Sequence, residues 1–130
     1  MLLKDEILDE LTKAAKISAR LRMNYNIHVS FNDAVQRMFN ALEPGTEIPI
    51  ARHKTCSETL ILLRGKLRIN IYNDNKDVIE SYILDNDIGN IGYHIEKDRW
   101  HKVESLESGT VVFETREGPY VPLSNEDILK

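Results

Sequence analysis

The chain has 130 residues, of which 42% are hydrophobic and 29% are charged, and its formal net charge is -4 at pH 7. This composition is typical of a single globular domain and argues against a disordered chain. Basic and acidic residues are mixed along the chain, so the sequence shows no basic face of the kind that binds nucleic acid. No apolar run approaches the roughly 20 residues that cross a bilayer. The acidic opening predicts no signal peptide, and Cys56, the one cysteine, cannot form an internal disulfide, which together favour the cytoplasm.

The first third of the chain has a helical pattern. In "KDEILDELTKAAKISARLR", residues 4–22, apolar residues recur at helical spacing. A second helix is predicted to begin near Ser30 and Asp33, which have the spacing of capping residues. Its apolar stripe is Val35, Met38, Phe39 and Leu42. Pro44 and Gly45 would end this second helix.

From about residue 45 the hydrophobic period changes to two. In "KLRINIY", Leu67, Ile69 and Ile71 fall on one face, as in a half-buried strand. Further short strands are predicted at "ETLILLR", "VIESYIL", "GYHI", "WHKVES" and "TVVFETR". Turn signals about every ten residues are typical of a sandwich or small barrel. We therefore expect a mainly β domain, with a helical N-terminal arm at 1–44 packed on a barrel at 45–130.

Three residues of this predicted barrel have side chains of the types that bind metal ions. His53 and Glu58 flank the short loop "KTCS", and His101 begins a strand far along the chain. If these side chains point into the barrel, imidazole and carboxylate groups converge there, as a divalent first-row metal requires. The alternative from spacing alone is that two partly exposed histidines and a surface glutamate happen to lie on strands.

The segments around these residues resemble a known family. "PGTEIPIARHKTCSETLILLRGKL" and the later "GYHIEKDRWHKVES" are similar to the two motifs of the cupin superfamily. With "SARLRMNYNIH", "VQRMFNALEPGT" and "WHKVESLESGTVVFETREGPY", the chain resembles the WbuC-type cupin metalloproteins over about residues 17–121. Members of that family are encoded among bacterial O-antigen and surface-polysaccharide genes. The resemblance implies a single-domain, jelly-roll-like cupin barrel behind the helical arm.

The resemblance also implies a set of metal ligands. His53 and Glu58 match the second histidine and the glutamate of the first motif, and His101 matches the histidine of the second motif. Ala51 stands where the first histidine is expected, so three ligands remain. Such a set can form a facial triad suited to Fe, Mn, Ni, Co or Zn, or it can be a decayed site that holds metal poorly. Other departures are Glu96 and Asp98 in place of a proline and a glycine, and Ser105 in place of a frequent asparagine.

Four polar residues ahead of the barrel, and the cysteine in its first loop, are further candidates for the ligand pocket. Arg20, Arg22 and Asn24 could clamp a phosphate or carboxylate, or they could form a solvated helix end. His28 could lie at the pocket mouth, or it could be an exposed or capping residue. Cys56 could coordinate the metal as a thiolate, or it could be a small buried apolar residue.

One further histidine, His94, is expected to point outward because its neighbours alternate inward.

Two functions of different classes are compatible with these features. In the first, the protein is a metal-dependent enzyme, isomerase-like or epimerase-like, that acts on a sugar or nucleotide-sugar in surface-polysaccharide synthesis. In the second, the protein is a non-catalytic binding or accessory cupin with a degenerate metal site, which the alanine at position 51 favours. A homodimer is expected through the outer face of "TLILL", formed by Thr59, Ile61 and Leu63.

Overall fold

The structure, a computed structural model, describes residues 1–130 and contains one α-helix and ten strands. The helix is α1 (Asp5–Ile17). The strands are β1 (Arg22–Asn26), β2 (Val35–Leu42), β3 (Ile50–Ala51), β4 (Glu58–Arg64), β5 (Leu67–Tyr72), β6 (Val78–Leu84), β7 (Gly92–Ile95), β8 (Trp100–Ser105), β9 (Thr110–Glu117) and β10 (Ile128–Leu129). Short 3-10 turns lie at Asn86–Ile88 and Asn125–Asp127. None of these helices combines the length and the apolar character that crossing a bilayer requires.

The strands form two antiparallel sheets of five strands each. Sheet A has the order β1-β2-β9-β4-β7, and sheet B has the order β10-β3-β8-β5-β6. The predicted mainly β fold with an N-terminal helix is confirmed, although no ladder of hydrogen bonds joins the two sheets into a closed barrel.

The main core lies between the two sheets. Leu67, Ile69 and Ile71 of β5 are fully buried, as their alternation predicts. Six further residues complete this core: Leu42, Leu60, Leu62, Leu84, Ile95 and Val112. Side chains alternate between the two faces of a strand, so Glu58 of β4 and Glu114 and Arg116 of β9 share the inner face with core residues of the same strands. The register of β4 and β9 places these three charged side chains at one end of the sandwich.

A second, smaller core lies between α1 and the outer face of sheet A. Leu11 and Ala15 of the helix are buried there against Phe39, Ala41 and Val111. The helix is amphipathic, and this contact buries its apolar side. The helix therefore packs on the face of sheet A that is opposite the main core.

The second helix expected after residue 30 is wrong, because residues 35–42 form strand β2 between β1 and β9. This strand is apolar on both faces: Phe39 packs under α1, whereas Leu42 packs in the main core. A strand that is buried on both sides has apolar residues at consecutive positions, which imitates a helical stripe. Asp33 accepts hydrogen bonds from the backbone nitrogen atoms of Val29 and Ser30, at 2.8 and 3.3 Å, in a turn instead of a helix cap.

The segment before residue 44 thus contributes two strands to sheet A as well as a helix. The division of the chain into an arm at 1–44 and a barrel at 45–130 stays a prediction.

Candidate metal centre

His53, Glu58 and His101 lie together at one end of the space between the sheets. One ligand atom from each residue lies within 4.8 Å of the others. The shortest contact, 2.9 Å, joins His101 Nε2 and Glu58 Oε1, and His53 Nε2 lies 3.6 Å from the same oxygen. The side chain of Glu58 is only 4% exposed, and those of His53 and His101 are 17% and 12% exposed. This His-Glu-His cluster is positioned to bind a metal ion.

Both sheets contribute to the cluster. Glu58 begins β4 in sheet A, where it shares the inner face with Leu60. His101 lies on β8 in sheet B, directly opposite Ile71 of β5 and Ala51 of β3. His53 follows β3 in the loop that crosses from sheet B to sheet A. The packing of the two sheets therefore brings together Glu58 and His101, which are 43 positions apart in the sequence.

The backbone orients the imidazole of His101. Its Nδ1 atom lies 2.9 Å from the carbonyl oxygen of Arg99, to which it donates when it carries the proton. Without a metal ion, Nε2 also carries a proton and donates a hydrogen bond to Glu58; once Nε2 gives up this proton, its lone pair faces Glu58 and His53, as a metal-binding histidine needs. This neutral tautomer, together with a second imidazole and a carboxylate, fits a divalent first-row metal ion.

Burial and pairing shift the acid–base properties of the three side chains. Burial lowers the pKa of His53 more than the charge of Glu58 raises it. Burial also acts to lower the pKa of His101, but its hydrogen bond to Glu58 raises the pKa above the ordinary value. Burial alone would raise the pKa of Glu58, yet the hydrogen bond and charge of His101 hold it at about 2. Glu58 is therefore an anion throughout the physiological pH range.

The cluster lies at the wall of a cavity of about 390 Å³, and Ala51 lines this cavity as well. Ala51 is buried and pairs with His101, so a histidine at this position would lie next to the cluster. The methyl group leaves this side of the cluster without a fourth protein ligand.

Two charged residues of β9 that the sequence reasoning did not single out, Glu114 and Arg116, also line this cavity. Arg116 Nη1 lies 3.3 Å from His53 Nε2 and 3.9 Å from Glu58 Oε2. Desolvation, followed by the charge of Glu58, raises the pKa of Glu114 to about 8. The signal for both residues was the alternation of "TVVFETRE", which places them on the same face as the core residue Val112.

A second cavity of about 430 Å³ adjoins the first and shares several wall residues with it. Of the residues proposed from the sequence for the ligand pocket, Arg22, Asn24 and His28 line it, and Arg22 lines the first cavity as well. His28 is 8% exposed, its Nδ1 accepts from the backbone nitrogen of Arg37 at 3.1 Å, and its buried Nε2 has no partner. The walls also carry the amide groups of Asn26, Gln36 and Asn40.

The other two pocket candidates lie elsewhere. Arg20 is exposed, and it lines neither of the two cavities. Cys56 lines a separate cavity of about 240 Å³ together with His53, and it is not part of the cluster of ligand atoms. Burial raises the pKa of its thiol, which disfavours a thiolate ligand. His94, which was expected to point outward, is exposed and bonds to Thr59 at 2.8 Å.

Comparison with solved structures shows the type of fold. The chain resembles the capsular polysaccharide assembling protein CapF from Staphylococcus aureus, with a TM-score of 0.67 and 21% identity over 82% of this chain and 28% of CapF. It also resembles KdgF from Halomonas sp., with a TM-score of 0.60 and 10% identity over 78% of this chain and 82% of KdgF. The cupin domain of Cnp3 from Schizosaccharomyces pombe has a TM-score of 0.59 and 8% identity over 74% of this chain and 64% of that chain. These likenesses confirm the cupin fold.

The comparisons of sequence assign the chain to a family. No curated protein has a matching sequence. The narrower resemblance to the WbuC-type cupins stays a prediction. One family model, of a domain of unknown function (DUF6016), matches residues 3–84, which is more than half of the chain. The chain therefore belongs to the DUF6016 family.

Proposed function

We propose that this protein is a metal-dependent enzyme of the WbuC type that rearranges a sugar or nucleotide-sugar, as an isomerase or epimerase does, in bacterial surface-polysaccharide synthesis. The observation that carries the proposal is the convergence of His53, Glu58 and His101 within 4.8 Å at the wall of a cavity. A divalent ion bound there would polarise a carbonyl or hydroxyl group of the substrate as a Lewis acid. The name of CapF, a capsular polysaccharide assembling protein, supports this class of substrate.

The second cavity supports a ligand that is rich in hydroxyl groups. Its amide side chains, Asn24, Asn26 and Asn40 among them, both donate and accept hydrogen bonds, as a hydroxyl group does. Phe31 and Tyr120 add aromatic surface beside these amides, with ring centroids 4.8 Å apart. A sugar ring offers both an apolar face and hydroxyl groups, and so it matches this mixture.

Within the first cavity, Glu114 is the group placed to move a proton. It is hydrogen-bonded by the amide of Asn40 at 3.4 Å and faces Glu58. Glu58 holds its proton-accepting oxygen against His101, so it is committed to the cluster. We assign Glu114 the role of general base or acid toward a substrate in the cavity.

A non-catalytic binding or accessory cupin is the second candidate function, and Ala51 is the observation that favours it. The loss of one imidazole ligand weakens a metal site, and a weak site suits a module that binds a small molecule without turnover.

The metal content of the untagged protein separates these two functions. We expect near-stoichiometric divalent metal in the wild type, its loss in His53→Ala, and its retention in the control His94→Ala, which removes an exposed imidazole outside the cluster. Ala51→His should bind the metal more tightly, because the new imidazole would lie beside His101. Equal and negligible metal in the wild type and His53→Ala would reject the enzyme and favour the binding module.

We further propose that the protein acts in the cytoplasm as a homodimer. Leu63 on the outer face of β4 is 38% exposed, and Ile61 beside it is half-buried, which supports a subunit contact there.

A further inference from the structure

We propose that Arg22 and Arg116 form an oxyanion site next to the His-Glu-His cluster, so that the ligand of this protein carries a carboxylate or phosphate group. The inference rests on the proposed function, because it names the chemical class of the small molecule that would occupy the same cavity. It concerns two guanidinium groups that line both adjoining cavities.

These two arginines differ from all the others in the chain. Four arginines contact carboxylate oxygens at 2.5–3.5 Å: Arg52, Arg64, Arg68 and Arg99. Arg20 and Arg37 are exposed, so water satisfies them. Arg22 and Arg116 are half-buried, yet neither has a carboxylate oxygen at hydrogen-bonding distance. The nearest carboxylate to Arg116, that of Glu58, lies 3.9 Å away, which is too far for a hydrogen bond. A partly buried guanidinium group whose donors are unfilled is a place where a ligand anion can bind.

The contacts of Arg116 leave most of its donors free. Its Nη1 atom lies 3.3 Å from His53 Nε2, and its guanidinium carbon lies 5.8 Å from the ring centre of Tyr120. No protein acceptor occupies Nε or Nη2. When the lone pair of His53 Nε2 is taken up by a metal ion, Nη1 also loses its acceptor. Arg116 would then present a complete fork of donors at the edge of the cluster.

Arg22 is anchored from one side. Its Nη1 atom donates to the carbonyl oxygen of Glu47 at 2.6 Å and to the hydroxyl of Thr46 at 3.4 Å. That hydroxyl in turn donates to the carbonyl oxygen of Arg20 at 2.6 Å. These neutral contacts hold the side chain in place without neutralising its charge. Nε and Nη2 remain available to a ligand, which lowers the entropy cost of binding.

The charge of the first cavity also favours an anion. Its walls carry three cationic side chains, Arg22, Lys102 and Arg116, and two carboxyl groups, Glu58 and Glu114. The cationic side chains outnumber the carboxyl groups before any metal ion is added, and a divalent ion increases the excess. A ligand with a negatively charged group would balance this charge, whereas a neutral sugar would not.

The test measures anion binding by the side-chain Nε–H signals of arginine in proton–nitrogen NMR spectra. Malonate probes a carboxylate, inorganic phosphate probes a phosphate, and malonamide is the neutral analogue of malonate. Each probe is titrated into metal-free protein and into protein incubated with Co²⁺, whose absorption spectrum reports separately whether the metal is bound. The proteins are the wild type, Arg116→Gln, Arg22→Gln, Arg116→Lys and the exposed control Arg37→Gln.

We expect malonate or phosphate to shift the Arg22 and Arg116 signals saturably, and malonamide to leave them unchanged. The preferred anion identifies the source of the oxyanion. Each glutamine variant at the site should bind it about tenfold or more weakly, whereas Arg37→Gln should bind like the wild type. Arg116→Lys should bind with intermediate affinity, because lysine keeps the charge but not the fork.

Equal responses to malonate and malonamide, or no response to either anion, would overturn the inference. So would an equal loss of binding in Arg37→Gln. If Arg116→Gln does not fold, Arg116→Lys and Arg22→Gln decide the question. Anion binding without Co²⁺ binding would reject the metal-dependent function and keep the oxyanion site, and Co²⁺ binding without anion binding would do the reverse.

Discussion

Individual side chains of the cavity show how burial and pairing compete. Glu58 is buried but remains ionised, because His101 lies 2.9 Å from its carboxylate. Glu114 faces Glu58 and has no cation at hydrogen-bonding distance, so burial and a neighbouring negative charge act on it in the same direction. Two carboxyl groups in one cavity are therefore driven to opposite protonation states.

The pKa of Glu114 predicts a pH dependence of stability in the metal-free protein. This pKa is about 8 in the folded protein against an ordinary value of 4.5, so between these values the folded protein keeps a proton that the unfolded chain has released. The free energy of unfolding should therefore fall as the pH rises from about 4.5 to about 8. Glu114→Gln should remove this fall and be more stable than the wild type near pH 8, with the difference vanishing near pH 4.5.

Urea unfolding at several pH values, in the presence of a chelator, measures this effect. Glu117→Gln, an exposed substitution on the same strand, is the control and should follow the wild-type curve. A difference between Glu114→Gln and the wild type that is the same at all pH values would contradict the prediction.

At the scale of the elements, the two faces of sheet A contact different parts of the molecule. The inner face carries Glu58 toward the cavity, and the outer face receives Leu11 and Ala15 of α1. Arg64 of β4 also contacts Asp5 and Asp9 of the helix at 2.9 and 2.7 Å. These ion pairs are largely exposed, so the apolar contact is the main source of the stabilisation that α1 provides.

Leu11→Ala tests whether the outer face contributes to stability without affecting the metal cluster on the inner face. We expect it to lower the free energy of unfolding by about 2–4 kcal/mol, because it opens a cavity under the helix. Metal affinity should stay unchanged, because the helix lies on the opposite face of the sheet. Denaturant unfolding with a chelator gives the first quantity, and calorimetric titration of the folded protein with metal gives the second. The control is Leu2→Ala at a residue that is 75% exposed, and it should change neither the free energy of unfolding nor the metal affinity. A loss of metal affinity in Leu11→Ala but not in Leu2→Ala would contradict the prediction, because it would show that the two faces are coupled.

At the scale of the whole molecule, the cluster joins the two sheets. Glu58 belongs to sheet A and His101 to sheet B, and no ladder of backbone hydrogen bonds connects these sheets. An ion shared by these residues would add a link between the layers that the unfolded chain cannot form.

Metal binding should therefore raise the thermal stability of the protein. At a metal concentration about 100 times the Kd, linkage predicts a gain of about 2.7 kcal/mol, or on the order of 5–10 °C in Tm. Thermal melts with a chelator and with Mn²⁺, Co²⁺, Ni²⁺ or Zn²⁺ measure the gain, and the ion with the largest shift is the preferred metal. His53→Ala should show little or no gain. A Tm in the wild type that no ion raises would contradict the prediction.

The parts of the fold that the sequence predicted are those with a simple period. The alternation of Leu67, Ile69 and Ile71 predicted strand β5 and its buried face, and the helical spacing before residue 18 predicted α1. The prediction for residues 35–42 was wrong because strand β2 is buried on both sides. That burial depends on α1 and β5 and cannot be read from the residues of β2 alone. Glu114 and Arg116 were missed because alternation shows only that they share a face with Val112. Which face of the strand lies toward the other sheet depends on the tertiary packing.

The sequence by itself determined the chemistry that is present: imidazole and carboxyl groups on strands, an alanine beside them, and a mainly β cupin fold with an N-terminal helix. Only the tertiary structure decided which of these groups meet. His101 reaches Glu58 because two sheets pack face to face, and Arg116 joins them through its pairing opposite Glu58. The physical reason is that side-chain alternation is a local property of a strand, whereas convergence on one point depends on the register and packing of strands that are distant in the chain.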